Sequence, residues 1–130
     1  MKKGLFLAML ALVVVAFSSC QMKTRATVEL TVVNTLGIPQ SGIQVFQFSS
    51  LKWNDPTLAH TPENASRYLY TDQEGKVTFD LTWIDLEVID TQTTLHYAVF
   101  DREGDVIGKT AVTVRQGENK TATLKINSLY

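Results

Sequence analysis

From Thr27 onward the chain alternates apolar and polar residues in short runs. In "TVELTVV", Val28, Leu30 and Val32 fall on one side and Thr27, Glu29 and Thr31 on the other. A period of two marks a strand with one buried face. "VTFDL" repeats the device with Val77, Phe79 and Leu81, and "TLHYAVF" does so with Leu95, Tyr97 and Val99. "AVTV" pairs Val112 with Val114, and "TATLKI" sets Ala122, Leu124 and Ile126 against Thr121, Thr123 and Lys125. β-Branched and aromatic side chains dominate these runs, as strands prefer. Turn chemistry separates them: "NTLGIPQSG" over 34–42, "TDQEGK" over 71–76, "DREGD" over 101–105 and "RQGEN" over 115–119. Asp at the start and Gly at the end of the second and third suit tight turns with a left-handed position. Short strands between frequent turns predict a β-sandwich of about seven strands, with no helix of useful length after residue 20.

Two stretches break the rhythm. In "IQVFQF" the apolar positions pass from Ile43 and Val45 to Phe46 and Phe48. A bulge, or burial on both faces, would account for it. In "TWIDLEVID" the apolar residues Ile84, Leu86 and Val88 are out of step with Val77, Phe79 and Leu81, which predicts a kink near Thr82. Residues 49–66 form the longest irregular run, and long loops are often where function sits.

The first twenty residues differ in kind. Lys2 and Lys3 precede an uncharged run from Leu5 to Phe17, then Ser18, Ser19 and Cys20, the one cysteine of the 130-residue chain. This is the layout of a secretory signal, too short to span a ~30 Å hydrocarbon core. "FSSC" resembles the lipobox of bacterial lipoproteins, with Phe17 where Leu is usual. That resemblance implies lipidation of Cys20 and a domain plan of 1–19 signal peptide, 20–26 lipidated cysteine and tether, and 27–130 sandwich. Two or more acyl chains would hold such a protein firmly, at about 0.8 kcal/mol per buried methylene. A single cysteine excludes a disulfide within the chain, so packing carries the fold.

Cleavage before Cys20 would remove Lys2 and Lys3, leaving ten basic residues against 13 acidic ones, a formal charge of about −3. No basic stripe is present, which argues against a nucleic-acid partner.

The frame "VELTVVNTLGIPQSGIQVFQF", "YLYTDQEGKVTFDL" and "HYAVFDREGDVIGKTAVTV" resembles the carboxypeptidase regulatory-like, or transthyretin-like, β-sandwich family. Gly37, Pro39, Gly42, Ile43, Val45, Thr71, Asp72, Gly75, Val77 and Phe79 carry the likeness. It implies an all-β, Ig-like/transthyretin-like Greek-key sandwich and a non-catalytic module, since members serve in cell-surface, transport and adhesion proteins. Transthyretin-like enzymes that open a purine-derived ring end in a Tyr-Arg-Gly-Ser-type tail; this chain ends "NSLY". Pilin domains of similar fold form Lys–Asn isopeptide bonds beside a buried acid. Here that role would fall to Lys23, Asn127 and Glu29, and Glu29 lies on the polar side of its strand.

Little else carries chemistry. Asp101, Glu103 and Asp105 lack the longer ligand series of a calcium loop. His60 and His96 are isolated in sequence, with no cluster of zinc spacing. No G-x-S-x-G elbow occurs. No metal and no cofactor is expected. The aromatic residues are more telling. Trp53 and Asp55 share the long loop, Tyr68 and Tyr70 follow it, and Trp83 stands beside Asp85. Aromatic faces with nearby carboxylates suit sugars, because rings stack on C–H bonds while polar groups fix hydroxyls. Trp53, Asp55, Tyr68, Trp83 and Asp85 are therefore the candidate ligand-binding set; packing at the ends of the sandwich is the competing account of Tyr68 and Trp83. The sequence thus predicts a lipid-anchored envelope module with a protein partner, and alternatively a glycan binder using residues 49–70 and Trp83. The signal resembles that of a Bacteroidetes-type lipoprotein, and with no acidic residue among Gln21, Met22, Lys23, Thr24 and Arg25 this resemblance points to the outer membrane facing the periplasm, with surface display as the other orientation.

Overall fold

The computed structural model of the chain describes residues 25–82 and 92–127. Among them are seven strands in two sheets: β1 Arg25–Val33, β2 Gln44–Ser49, β3 Arg67–Tyr70, β4 Lys76–Thr82, β5 Gln92–Phe100, β6 Val106–Arg115 and β7 Asn119–Lys125. One sheet has the order β4-β1-β7 and the other β3-β2-β5-β6. The expected all-β sandwich is what forms. β1 starts at Arg25, two residues before the alternation becomes plain, and β6 extends well beyond "AVTV". β1 runs antiparallel to β4 and parallel to β7. Cys20, Trp83, Asp85 and the kink expected near Thr82 lie outside the described residues or at their limit.

The period of two becomes a shared core. Val28, Leu30 and Val32 of β1 meet Phe79 and Leu81 of β4 on one side, and Leu95, Tyr97 and Val99 of β5 on the other. Among the described residues, Tyr97 and Phe79 are the largest side chains lying between the sheets, both under 2% exposed, with aliphatic groups such as Leu30, Leu95 and Val114 as deeply buried. Each such aliphatic group removed from water contributes about 1.5–3 kcal/mol. Tyr97 also buries a hydroxyl, which donates to Gln47 Oε1 at 3.1 Å, so its polar atom is not stranded. Burial drives the Tyr97 phenol well above its ordinary pKa, so it stays protonated as that donor.

The two sheets are joined at their edges. Arg67 of β3 donates to the Asp80 carbonyl of β4 and rests 5.2 Å from the Phe79 ring centroid. At the opposite seam the Asn127 amide donates to the Ile107 carbonyl at 2.8 Å. There Gly108 has no room for a methyl group: a Cβ would lie 2.6 Å from the Lys125 carbonyl oxygen.

The motif-bearing turns dock on one another. Thr71, 5% exposed, accepts from the Ile43 amide at 2.9 Å and donates to the Gln40 carbonyl at 2.7 Å. Asp72 Oδ1 accepts from the Glu74 and Lys76 amides, both at 2.9 Å, as the turn reading expected. Asp101 repeats this with the Glu103 and Asp105 amides. That oxygen is thus engaged within its own turn. Thr71→Val keeps the shape and strands the Ile43 N–H. It should lower unfolding free energy by about 2 kcal/mol in urea denaturation, with Thr71→Ser close to wild type. Equal loss in both variants would show that the hydroxyl is not what matters.

Candidate functional site

The outer faces of the two sheets differ. The β4-β1-β7 sheet shows water the residues that alternation assigns outward, including Thr27, Glu29 and Thr31. Glu29 sits opposite Thr78 and Thr121 and outside the core, and Asn127 is exposed; Lys23 lies outside the described residues. The β3-β2-β5-β6 sheet instead carries a second apolar cluster on its outside: Phe46, Phe48 and Ala98, packed with Trp53, Ala65 and Phe100. The odd rhythm of "IQVFQF" is thus burial on both faces. Val45 points between the sheets while Phe46 and Phe48 point out, and β2 pairs with β3 and β5 in regular register.

Part of the long loop covers this cluster. Ser49 caps a one-turn helix, α1 Ser50–Trp53, by accepting from the Lys52 amide at 3.3 Å. One turn has no stability of its own. It is held by Trp53, whose ring packs edge-on against Phe48 with centroids 5.1 Å apart. His60 stacks on the indole at 3.6 Å and 8°, and His96 of β5 stacks on it at 5.0 Å and 7°. The two histidines that look isolated in sequence meet across one indole. His60 Nε2 also lies 2.8 Å from the Trp53 carbonyl oxygen. Among the described residues no group of three metal-ligating side chains occurs.

Burial, then the neighbouring His60 and Lys109, lower the His96 pKa below its ordinary value. The folded protein therefore binds this proton less readily than the unfolded chain. Stability is fully present above about pH 6.5 and falls as pH drops through the unfolded value toward the folded one. The melting temperature should decline between pH 7.5 and pH 5.5, and His96→Gln should flatten that decline. Parallel curves for the two proteins would remove His96 from the account.

The proposed ligand residues are thus placed unequally. Trp53 is half-buried with both ring faces occupied, so it offers no free face for stacking. Asp55 is held in its own turn: it accepts from the Thr57 amide at 2.9 Å and the Thr57 hydroxyl at 2.7 Å. Those hydrogen bonds keep its carboxyl below the usual range. Tyr68 is 53% exposed and Tyr70, which the sequence put beside it, is 60% exposed. Their rings stand at 88° with centroids 6.1 Å apart. Tyr68 leans on Phe46 at 5.5 Å, and Phe46 meets Phe100 edge-on at 5.3 Å.

These rings floor a concavity of about 790 Å³, open to solvent on one side. Pro62, Glu63, Asp101 and Arg102 also line it. Pro62–Asn64 is a single 3-10 turn whose Asn64 side chain donates to the Ala59 carbonyl at 2.8 Å. Phe46, Phe100, Glu63 and Arg102 are the members that sequence reasoning missed. Only the outward-facing phenylalanines of β2 left a sign, as a broken alternation.

No protein-family model matches the chain, and no curated protein matches it. Solved structures share its fold. A Streptococcal ancillary pilin superposes with a TM-score of 0.53 and 16% identity over 82% of this chain and 33% of that one. GBS52, the minor pilin of the Gram-positive pathogen Streptococcus agalactiae, gives 0.53 and 18% over 84% of this chain and 47% of that one. Catechol 1,2-dioxygenase from Acinetobacter sp. ADP1 gives 0.50 and 11% over 83% of this chain and 54% of that one. The chain therefore spans between a third and about half of these proteins. At such identities the likeness is one of fold, and pilins and an oxygenase share it.

Proposed function

We propose that the chain is a non-catalytic module of the bacterial cell envelope, anchored by lipid on Cys20 and serving a structural or accessory role through contact with another envelope protein. One observation carries the reading: among the described residues, several polar side chains serve turns and seams, while an aromatic face stays open. Asp72, Asp101 and Asp55 each serve their own turn, Thr71 ties two turns, and Gln47 receives the Tyr97 hydroxyl. The likeness to two pilins is in keeping with this role, and the signal-like first twenty residues with export. An outer-membrane anchor facing the periplasm is part of the proposal. Two measurements test it. Mass spectrometry of the N-terminus should find an acylated Cys20, and cross-linking in intact cells should recover a defined partner; a bare cysteine with only monomer recovered would end it.

A second reading, a small-ligand module, is favoured by the concavity under Tyr68 and Tyr70. It moves the binding set from Trp53 and Asp55 toward β3 and the β5–β6 turn. Trp83 and Asp85 stay in that set as a proposal from sequence.

A further inference from the structure

We infer that the concavity over Phe46 and Phe100 is a subsite for a neutral glycan built of hexopyranose rings. The inference rests on the second reading above and gives it a ligand class. Its first ground is shape. Tyr68 and Tyr70 meet at a right angle and leave more than half of each side chain in water. Such a corner accepts a pyranose with its C–H face on one ring and its edge against the other. Phe46 behind Tyr68 keeps that ring from folding away. The volume of about 790 Å³ falls within the range of small-ligand sites, roughly 300–1,000 Å³.

The second ground is the rim. Glu63 and Arg102 are exposed, and neither has a hydrogen-bond or ion-pair partner among the described residues. Gln44, half-buried at the start of β2, lies on the same concavity. Together they supply acceptors and donors at the edge of an apolar floor, the division that hydroxyls around a stacked ring require. An apolar ligand would leave its outward surface wet in so open a cleft, whereas a sugar keeps its outward hydroxyls hydrated.

The third ground is charge. Glu63 and Asp101 set two acids against one base, Arg102, which disfavours sulfated or uronic polymers. A protein partner calls for a contact of about 800 Å² on each side, far more than the lining of this cleft exposes.

The test is calorimetric titration of the full chain, in a detergent without a sugar headgroup, with cellohexaose, maltohexaose and mannohexaose as neutral probes and a galacturonic acid hexamer as the anionic one. At least one neutral probe should bind, Tyr70→Ala and Arg102→Ala should each weaken it at least tenfold, and both variants should melt within about 2 °C of wild type. Tyr70 and Arg102 are exposed, so their loss tests the cleft even if Tyr68→Ala unfolds the protein. Neutral binding unchanged in both variants overturns the assignment of the site. Tyr70-dependent binding of the anionic hexamer alone overturns the neutral class and leaves a ligand cleft in place. Silence from all four probes overturns both the inference and the second reading, while the envelope-module proposal is judged separately by Cys20 acylation and cross-linking.

Discussion

Gly75→Ala should cost about 2–5 kcal/mol of unfolding free energy, a large part of the 5–15 kcal/mol that a domain of this size commands. Two effects add. Gly75 has φ +76°, a conformation that costs an L-residue roughly 1–2 kcal/mol. A Cβ there would also stand 2.8 Å from Pro39 Cβ, 2.9 Å from the Gln40 nitrogen and 3.1 Å from the Val32 carbonyl oxygen. Two of those atoms are backbone and the third is a proline ring atom, so none can rotate aside; forced overpacking adds about 1–3 kcal/mol. Gly104 is the internal control. Its φ is +87° and nothing lies within 4 Å of its would-be Cβ, so Gly104→Ala should show the backbone cost alone. Urea denaturation of the two variants separates the effects. Equal losses would mean that the two turns do not press on each other as described.

Trp53→Ala should be the other large effect, at about 2–4 kcal/mol, the lower part of the range for aromatic deletion because the indole is only half-buried. The substitution removes one ring that touches Phe48, His60 and His96 together. It uncovers Phe48, which is 1% exposed, and releases a one-turn helix that cannot persist unaided. Amide exchange should therefore quicken across residues 50–66 while the β1–β4 and β5–β6 pairings stay protected. A variant that melts like wild type, with exchange unchanged, would mean the loop is held by other contacts and would free Trp53 for ligand stacking. Tyr70→Ala, on the same outer face, should leave that exchange pattern as it is.

Alternation made most of the sandwich legible, because one buried face leaves a period-two trace in β1, β4, β5 and β7. The docking turns were legible through their glycines, Pro39 and Asp72, since special backbone angles restrict residue choice. Pairing order was not: nothing local in "TVELTVV" says that its neighbours are β4 and β7. The need for glycine at position 108 was equally hidden, since it arises from the Lys125 carbonyl across the seam. The candidate site shows the same division. Tyr68 could be named from its loop-side position beside other aromatics. His60, Trp53 and His96 lie too far apart in sequence for their stacking to be foreseen. Glu63 and Arg102 gain interest only because the fold sets them around one floor. Aromatic residues near acids are a real signal, yet sequence alone cannot say which rings have a free face.

The parallel pairing of β1 with β7 brings together Thr27 and Asn119, 92 positions apart, with a hydrogen bond of 2.6 Å between their side chains. β1 is the middle strand of its sheet, so that sheet lacks one edge until the last strand arrives. Contacts this distant in sequence slow folding, because loop closure must precede their reward. A nascent chain of this design keeps that sheet open until β7 has left the ribosome.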